Sequence, residues 1–186
     1  MQKEIIIAGF GGQGVLFGGQ VLAYAAMDSG KEVTWIPSYG PEMRGGTANC
    51  TVVIADHEIG SPLVRNPPLA IVLNLPSFDK YEEMLADGGT LIVNQSMVDR
   101  GAKRGGIHVI LVPCNEIAEE IGDKKLMNMV AVGALLTALP EVSLKDVEKA
   151  LEGHLPARHK HLLPKNYEAL KRGLEHAQRE WDRVPS

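Results

Sequence analysis

Residues 9–14 read Gly-Phe-Gly-Gly-Gln-Gly, four glycines in six positions, between the apolar run Ile5-Ile6-Ile7-Ala8 and the start of a helical pattern at Val15-Leu16. Glycine lets the chain take positive φ and lets a ligand come close to the main chain. The free N–H groups of a following helix, at the positive end of its dipole, then bind an anion such as phosphate. Gly9, Gly11 and Gly14 fit the spacing G-x-G-x-x-G, which on its own also describes a tight strand-to-helix turn with no ligand. Gly12 favours the ligand, because a fourth glycine adds an entropic cost that a bare turn does not require. A nicotinamide dinucleotide would need, in addition, an Asp or Glu at the end of the second strand to hold ribose hydroxyls. That strand ends Trp35-Ile36-Pro37-Ser38, without an acid; Glu42 comes later, beyond Pro41. The phosphate cradle therefore stands, and an NAD-dependent oxidoreductase loses its second anchor.

The second chemically loaded stretch is Pro37-Ser38-Tyr39-Gly40-Pro41-Glu42-Met43-Arg44-Gly45-Gly46. It follows a strand end, which is where open α/β sheets place ligands. Arg44 beside two glycines suits an anion, since guanidinium forks onto phosphate or carboxylate. The alternative is a surface pair between Arg44 and Glu42.

Other reactive side chains give less. Cys50 and Cys114 are the two cysteines, far apart and without C-x-x-C spacing, so a disulfide framework, a zinc ribbon and a self-contained iron–sulfur site are excluded. Cys114 has no elbow motif or acid–base partner near it and reads as a structural thiol. His154, His159 and His161 gather with Arg158 and Lys160 near the tail, where no cysteine or carboxylate spacing completes a metal site; they read as a solvated basic loop. Trp35 and Trp181 read as packing anchors.

The elements that must position these residues can be read from their periodicity. Runs rich in Ile, Val and Thr predict strands at 4–8, 32–36, 48–55, 70–75, 90–94 and 108–112, mostly apolar at every position, as in a sheet covered on both faces. Helical patterns occupy 14–28, 77–86, 116–121, 125–139, 144–152 and 165–182, with Ser143 and Asp146 as a capping pair and Pro156 and Pro164 as breaks. Helix 125–139 is apolar on most faces and so either lies in the core or is covered by a partner. The expected fold is α/β, a layered domain with a mostly parallel central sheet flanked by helices and a helical C-terminal third. One domain is expected over 1–186, with an α/β core at 1–113 and a helical part at 114–186. A net charge of −4 argues against a nucleic-acid binder. The longest apolar stretch, 126–139, is too short for a bilayer, and the N-terminus lacks a charged region before its apolar run, so a cytoplasmic protein is expected.

Taken together, Gly-x-Gly-Gly-Gln-Gly at 9–14 and Ser-Tyr-Gly-Pro-Glu-x-Arg-Gly-Gly at 38–46 resemble the gamma subunit of 2-oxoacid:ferredoxin oxidoreductases, the unit fused as the third domain of pyruvate:ferredoxin oxidoreductase. The resemblance extends over nearly the whole chain, including the late apolar helix around Asn128-Met129-Val130. Met43 followed by Gly45-Gly46 brings it nearer the 2-oxoglutarate type. The resemblance implies a division of labour. Alpha and beta subunits, in some assemblies with a delta subunit, would carry thiamine pyrophosphate, magnesium and 4Fe–4S clusters and deliver electrons to ferredoxin, while the gamma subunit contributes a coenzyme A site. Carried over, Gly9, Gly11, Gly12, Gln13 and Gly14 would line the coenzyme A phosphates or pantetheine. Ser38, Tyr39, Gly40, Glu42 and Arg44 would face the subunit holding thiamine. The chain alone would have no catalytic residue and no metal. A different reading of the same residues is a free-standing coenzyme A- or nucleotide-binding regulatory protein.

Overall fold

The computed structural model describes residues 1–39 and 47–182, Tyr39 by its backbone. The elements run β1 (Gln2–Phe10), α1 (Val15–Asp28), β2 (Glu32–Tyr39), β3 (Thr47–Ala55), β4 (Leu69–Val72), α2 (Leu75–Met84), β5 (Thr90–Asn94), β6 (His108–Val112), α3 (Cys114–Ile121), α4 (Met127–Leu135), α5 (Leu144–His154) and α6 (Leu163–Trp181). The strands form one six-stranded sheet in the order β2-β3-β1-β4-β5-β6. Parallel ladders join β1 to β4, β4 to β5 and β5 to β6. β3 lies antiparallel between β2 and β1, so it alone opposes the other five strands.

Why β1 is apolar at every central position follows from the two cores it serves. Successive side chains leave a strand on opposite faces. Ile5 and Ile7 join Val52, Ile54 and Ile71 under α1, α4, α5 and α6, whereas Ile6 and Ala8 join Ala70, Val72, Phe78 and Tyr81 of α2, and Leu85 just beyond that helix. β2 is an edge strand, which accommodates Pro37. Gly19 lets α1 sit tightly on the sheet: a methyl there would come within 2.3 Å of Cys50 Sγ and 3.1 Å of Trp35 Nε1. Trp35 thus packs between helix and sheet, while Trp181 is half-exposed, its ring 5.6 Å from that of His108.

α4 is buried along its whole length. It is core, crossed by α6 so closely that the helices touch backbone to backbone. A methyl on Gly133 would lie 2.0 Å from the Leu170 carbonyl oxygen, and one on Gly173 would lie 1.9 Å from that of Val130. α5 opens with a full capping box, Ser143 Oγ accepting from Asp146 N–H and the Asp146 carboxylate accepting from Ser143 N–H. Among the described residues no helix is long and apolar enough to cross a membrane.

Several boundaries differ from those predicted, for local reasons. α2 starts at Leu75 because Asn74 caps it and Pro76 fits the first turn, where a missing N–H costs nothing. For the same reason Pro164 sits inside the first turn of α6 instead of breaking it. The apolar stretch around α4 is α-helical only in its middle, with 3₁₀ turns at Lys124–Leu126 and Leu136–Ala138.

Candidate functional site

The glycine loop sits at the carboxyl end of β1. Its first turn is closed by Gln13 N–H donating to the Phe10 carbonyl at 3.1 Å. The Gln13 side chain folds back over it, with Oε1 accepting from Phe10 N–H at 2.6 Å and Nε2 donating to the Leu73 carbonyl at 3.3 Å. Both ends of this amide are therefore engaged inside the chain, and Gln13 ties the loop to the end of β4.

Each glycine has its own reason. A methyl on Gly9 would meet Gln13 Oε1 at 2.6 Å and the side chains of Leu73 and Val15 at 3.0 Å. Gly14 has φ +74, and a methyl there would meet Asn128 Nδ2 at 2.3 Å. Gly12 has φ +95, yet a methyl would find nothing within 4 Å. Close packing thus accounts for Gly9 and Gly14, whereas Gly12 faces open space. Gly11 is partly exposed on the same turn.

Gly14 is also the N-cap of α1, in the left-handed conformation and without a side chain to cap the helix, and the first turn carries no acid. The first helical bond is Gly18 N–H to the Gly14 carbonyl at 2.9 Å, so the N–H groups of Val15, Leu16 and Phe17 have no intrahelical acceptor. From behind, Asn128 at the start of α4 donates to the Gly14 carbonyl at 3.1 Å and braces the cap.

The opposite wall is the end of β4. Leu73 N–H donates to the Ala8 carbonyl, continuing the ladder to the mouth of the loop. Asn74 is 1% exposed; its Oδ1 accepts from Ser77 N–H at 2.9 Å and caps α2, while its Nδ2 is buried without a hydrogen-bond partner. Beyond it, Asn94 at the end of β5 donates to the Leu73 carbonyl at 3.4 Å and to Asn115 Oδ1 at 3.1 Å. Glycine loop, Leu73, Asn74 and Asn94 thus form a continuous polar ridge.

The ridge lies at the topological switch point of the sheet. From β1 the chain passes through α1 on one face towards β2, and from β4 it passes through α2 on the other face towards β5. The crevice between strands whose connections diverge is where open α/β sheets bind ligands. Ser38 and Tyr39 reach the same edge: Ser38 pairs with Asn49, which pairs with Ala8, and Tyr39 pairs with Ala48, which pairs with Gly9. They stand two strand spacings, roughly 10 Å, from the loop. The intervening β3 also removes the end of β2 from ribose reach, which adds a geometric reason to the missing acid. Gly40, Glu42 and Arg44 lie outside the described residues.

The remaining reactive groups sit elsewhere. Cys50 is buried against α1, and burial pushes its thiol up to about 12. Cys114 is buried at the start of α3, its thiol pushed up by burial and then by Glu116. His154 pairs with Asp28 and stacks on Tyr24. Of the groups that shape the crevice, sequence reading passed over Asn74 and Asn94 and named Asn128 only as part of an apolar helix; an Asn directly before Leu-Pro was the available signal for the first.

Ketoisovalerate oxidoreductase subunit VorA of Methanothermobacter thermautotrophicus is 40% identical over 80% of this chain, a match covering 31% of VorA, so the chain spans about a third of that relative's length. 2-Oxoglutarate synthase subunit KorC of Methanothermobacter marburgensis is 39% identical over 84% of this chain and 88% of KorC. The crystal structure of a keto/oxoacid ferredoxin oxidoreductase gamma subunit from Geobacter sulfurreducens superposes with a TM-score of 0.84 at 28% identity, covering 96% of this chain and 98% of that one. Residues 4–176 match the family model described as pyruvate ferredoxin/flavodoxin oxidoreductase, and the chain belongs to that family.

Proposed function

We propose that this chain is the gamma subunit of a 2-oxoacid:ferredoxin oxidoreductase of the 2-oxoglutarate type, and that its glycine loop supplies the coenzyme A phosphate site. The holoenzyme would decarboxylate a 2-oxoacid, join the acyl group to the coenzyme A thiol and pass two electrons to ferredoxin. Alpha and beta subunits would bring thiamine pyrophosphate, which stabilises the acyl carbanion, together with magnesium and the 4Fe–4S clusters. The single observation that carries the coenzyme A reading is Gly12. It is a positive-φ glycine beside an uncapped helix N-terminus, with open space where a side chain would stand. That combination fits a phosphate seated on backbone N–H groups. Ser38, Tyr39, Gly40, Glu42 and Arg44 are proposed to face the thiamine-bearing subunit, and the KorC relatives that match this chain almost end to end favour 2-oxoglutarate.

The test is calorimetry with coenzyme A on the complex assembled from this chain and its partner subunits. The parent complex binds coenzyme A and not NAD. Gly12→Val strains the backbone and fills the open space, weakening binding by roughly 1–3 kcal/mol. Equal affinity in the variant removes the loop from the site. Failure of the chain to co-purify with thiamine- and cluster-bearing subunits favours a free-standing regulator instead.

A further inference from the structure

At the end of the sheet opposite the glycine loop, a cavity of about 380 Å³ opens at the amino ends of β1, β4 and β5. One wall is a face of the sheet. Leu69 pairs with Ile5 and with Thr90, and Lys3 stands two places before Ile5, so all three side chains leave on the face covered by α4 and α6. The other wall is the 3₁₀ turn that continues α4, with Thr137 and Ala138, followed by Pro140; Trp181 at the end of α6 adds its ring. The volume is that of a small-molecule pocket. The length of α4 separates it from the glycine loop, because Asn128 near the amino end of that helix braces Gly14.

The polar groups around this cavity are unfinished. Lys3 Nζ lies 3.6 Å from Glu141 Oε1, beyond normal hydrogen-bond length, so its ammonium keeps donors to spare. The other carboxylate oxygen, Glu141 Oε2, is buried without a hydrogen-bond partner, and so is Thr137 Oγ1. Thr90, 4% exposed, adds a second hydroxyl. Asp87 in the lining is already engaged by Arg104. Buried polar atoms without partners are costly, and each one in a native chain calls for an explanation.

Charge sorts these groups. The two orphaned oxygens follow the carboxyl end of α4, where the helix dipole also favours a positive group. Lys3, the only cation among the described lining residues, favours a negative one on the sheet side. Apolar surface comes from Leu69, Ala138, Pro140 and the Trp181 ring, which is 38% exposed. A ligand that answers all of these carries both charges and an apolar body. We propose that the cavity binds a free α-amino acid with a large apolar side chain. Lys3 takes the carboxylate, Thr137 and Glu141 take the ammonium, and Trp181 packs on the side chain. This site stands independently of the coenzyme A reading, whose loop lies at the other end of the sheet.

The probe is L-phenylalanine, titrated into the full chain and followed by the indole N–H resonances of Trp35 and Trp181, which Trp181→Phe tells apart. The amino acid shifts the Trp181 resonance saturably and leaves that of Trp35 in place. 3-Phenylpropanoate, which lacks the ammonium, and 2-phenylethylamine, which lacks the carboxylate, each bind about tenfold more weakly, the loss of one charge-assisted hydrogen bond. Thr137→Val removes an orphaned hydroxyl, so it keeps the melting temperature of the parent while narrowing the advantage of L-phenylalanine over 3-phenylpropanoate. Lys3→Met keeps the length of the side chain and abolishes the advantage over 2-phenylethylamine. Should Lys3→Met fail to fold, because it strands Glu141, Thr137→Val alone decides. Absence of a saturable Trp181 shift overturns the proposal, as does an analogue with one charge that binds as well as the amino acid. Binding that passes undiminished through the folded variants places the amino acid elsewhere and overturns it too.

Discussion

Asn74 holds its place in the site with half of its side chain. Oδ1 caps α2, and Nδ2 is a buried donor without an acceptor, a state that costs about 1–3 kcal/mol. Serine caps a helix as well as asparagine does and replaces the two amide N–H donors by one rotatable O–H. Asn74→Ser is therefore expected to be no less stable than the parent in urea unfolding, whereas Asn74→Ala falls about 1 kcal/mol below the serine variant. Glu82 shows the opposite balance. Burial pulls its pKa up, but hydrogen bonds from Arg104 N–H, the Arg100 guanidinium and Lys103 N–H outweigh this and leave it below its ordinary value of 4.5. A carboxylate depressed on folding stabilises the protein above that ordinary value and ceases to do so as pH falls through its folded value. An acid titration is expected to show the parent losing stability below pH 4.5, and Glu82→Gln, already weakened at neutral pH, losing less of it there. Little of this was legible beforehand. Such states depend on neighbours distant in sequence: the partners of Glu82 lie 18 to 22 places away, and Gln13 bonds to Leu73 across 60.

At the scale of elements the sequence was far more open. Strands buried on both faces betray themselves as unbroken Ile and Val runs, and all six lie where those runs lie. The capping pair Ser143 and Asp146 was equally plain, because its partners are three residues apart. The pairing order was hidden. Nothing local distinguishes a β3 that slots between β2 and β1 from one that extends the sheet, since partners are chosen by cross-strand fit over long separations. The α4–α6 contact was half visible: apolarity announced a buried helix, but Gly133 and Gly173 gave no periodic signal that two backbones touch there. Gly173→Ala would gain about 1 kcal/mol of helix propensity on an exposed helix. Here its methyl points at the Val130 carbonyl, and a net loss of roughly 1–3 kcal/mol is expected by chemical denaturation, from overpacking against an unyielding backbone.

For the molecule as a whole, the proposed function makes the isolated chain catalytically silent. Both cysteines are buried with raised pKa, and no cluster of three metal-ligating side chains exists among the described residues. Purified alone, it is expected to give no reduction of a viologen acceptor with 2-oxoglutarate and coenzyme A; turnover without added subunits contradicts the subunit reading. The antiparallel β3 has a mechanical consequence for that assembly. β2 and β3 form a two-stranded arm paired rung by rung from Glu32 with Ala55 to Tyr39 with Ala48, and β3 is riveted to β1 over nine further rungs, ending at Phe10 with Thr47. A one-residue slip would turn every side chain of the arm to the wrong face, so the arm cannot slide. The arm is held to β1 as one paired unit. Under the proposed function, a subunit that grips the arm near Tyr39 would be coupled through β3 to the rung that carries Gly9 and Phe10, so docking at one end would be felt at the glycine loop.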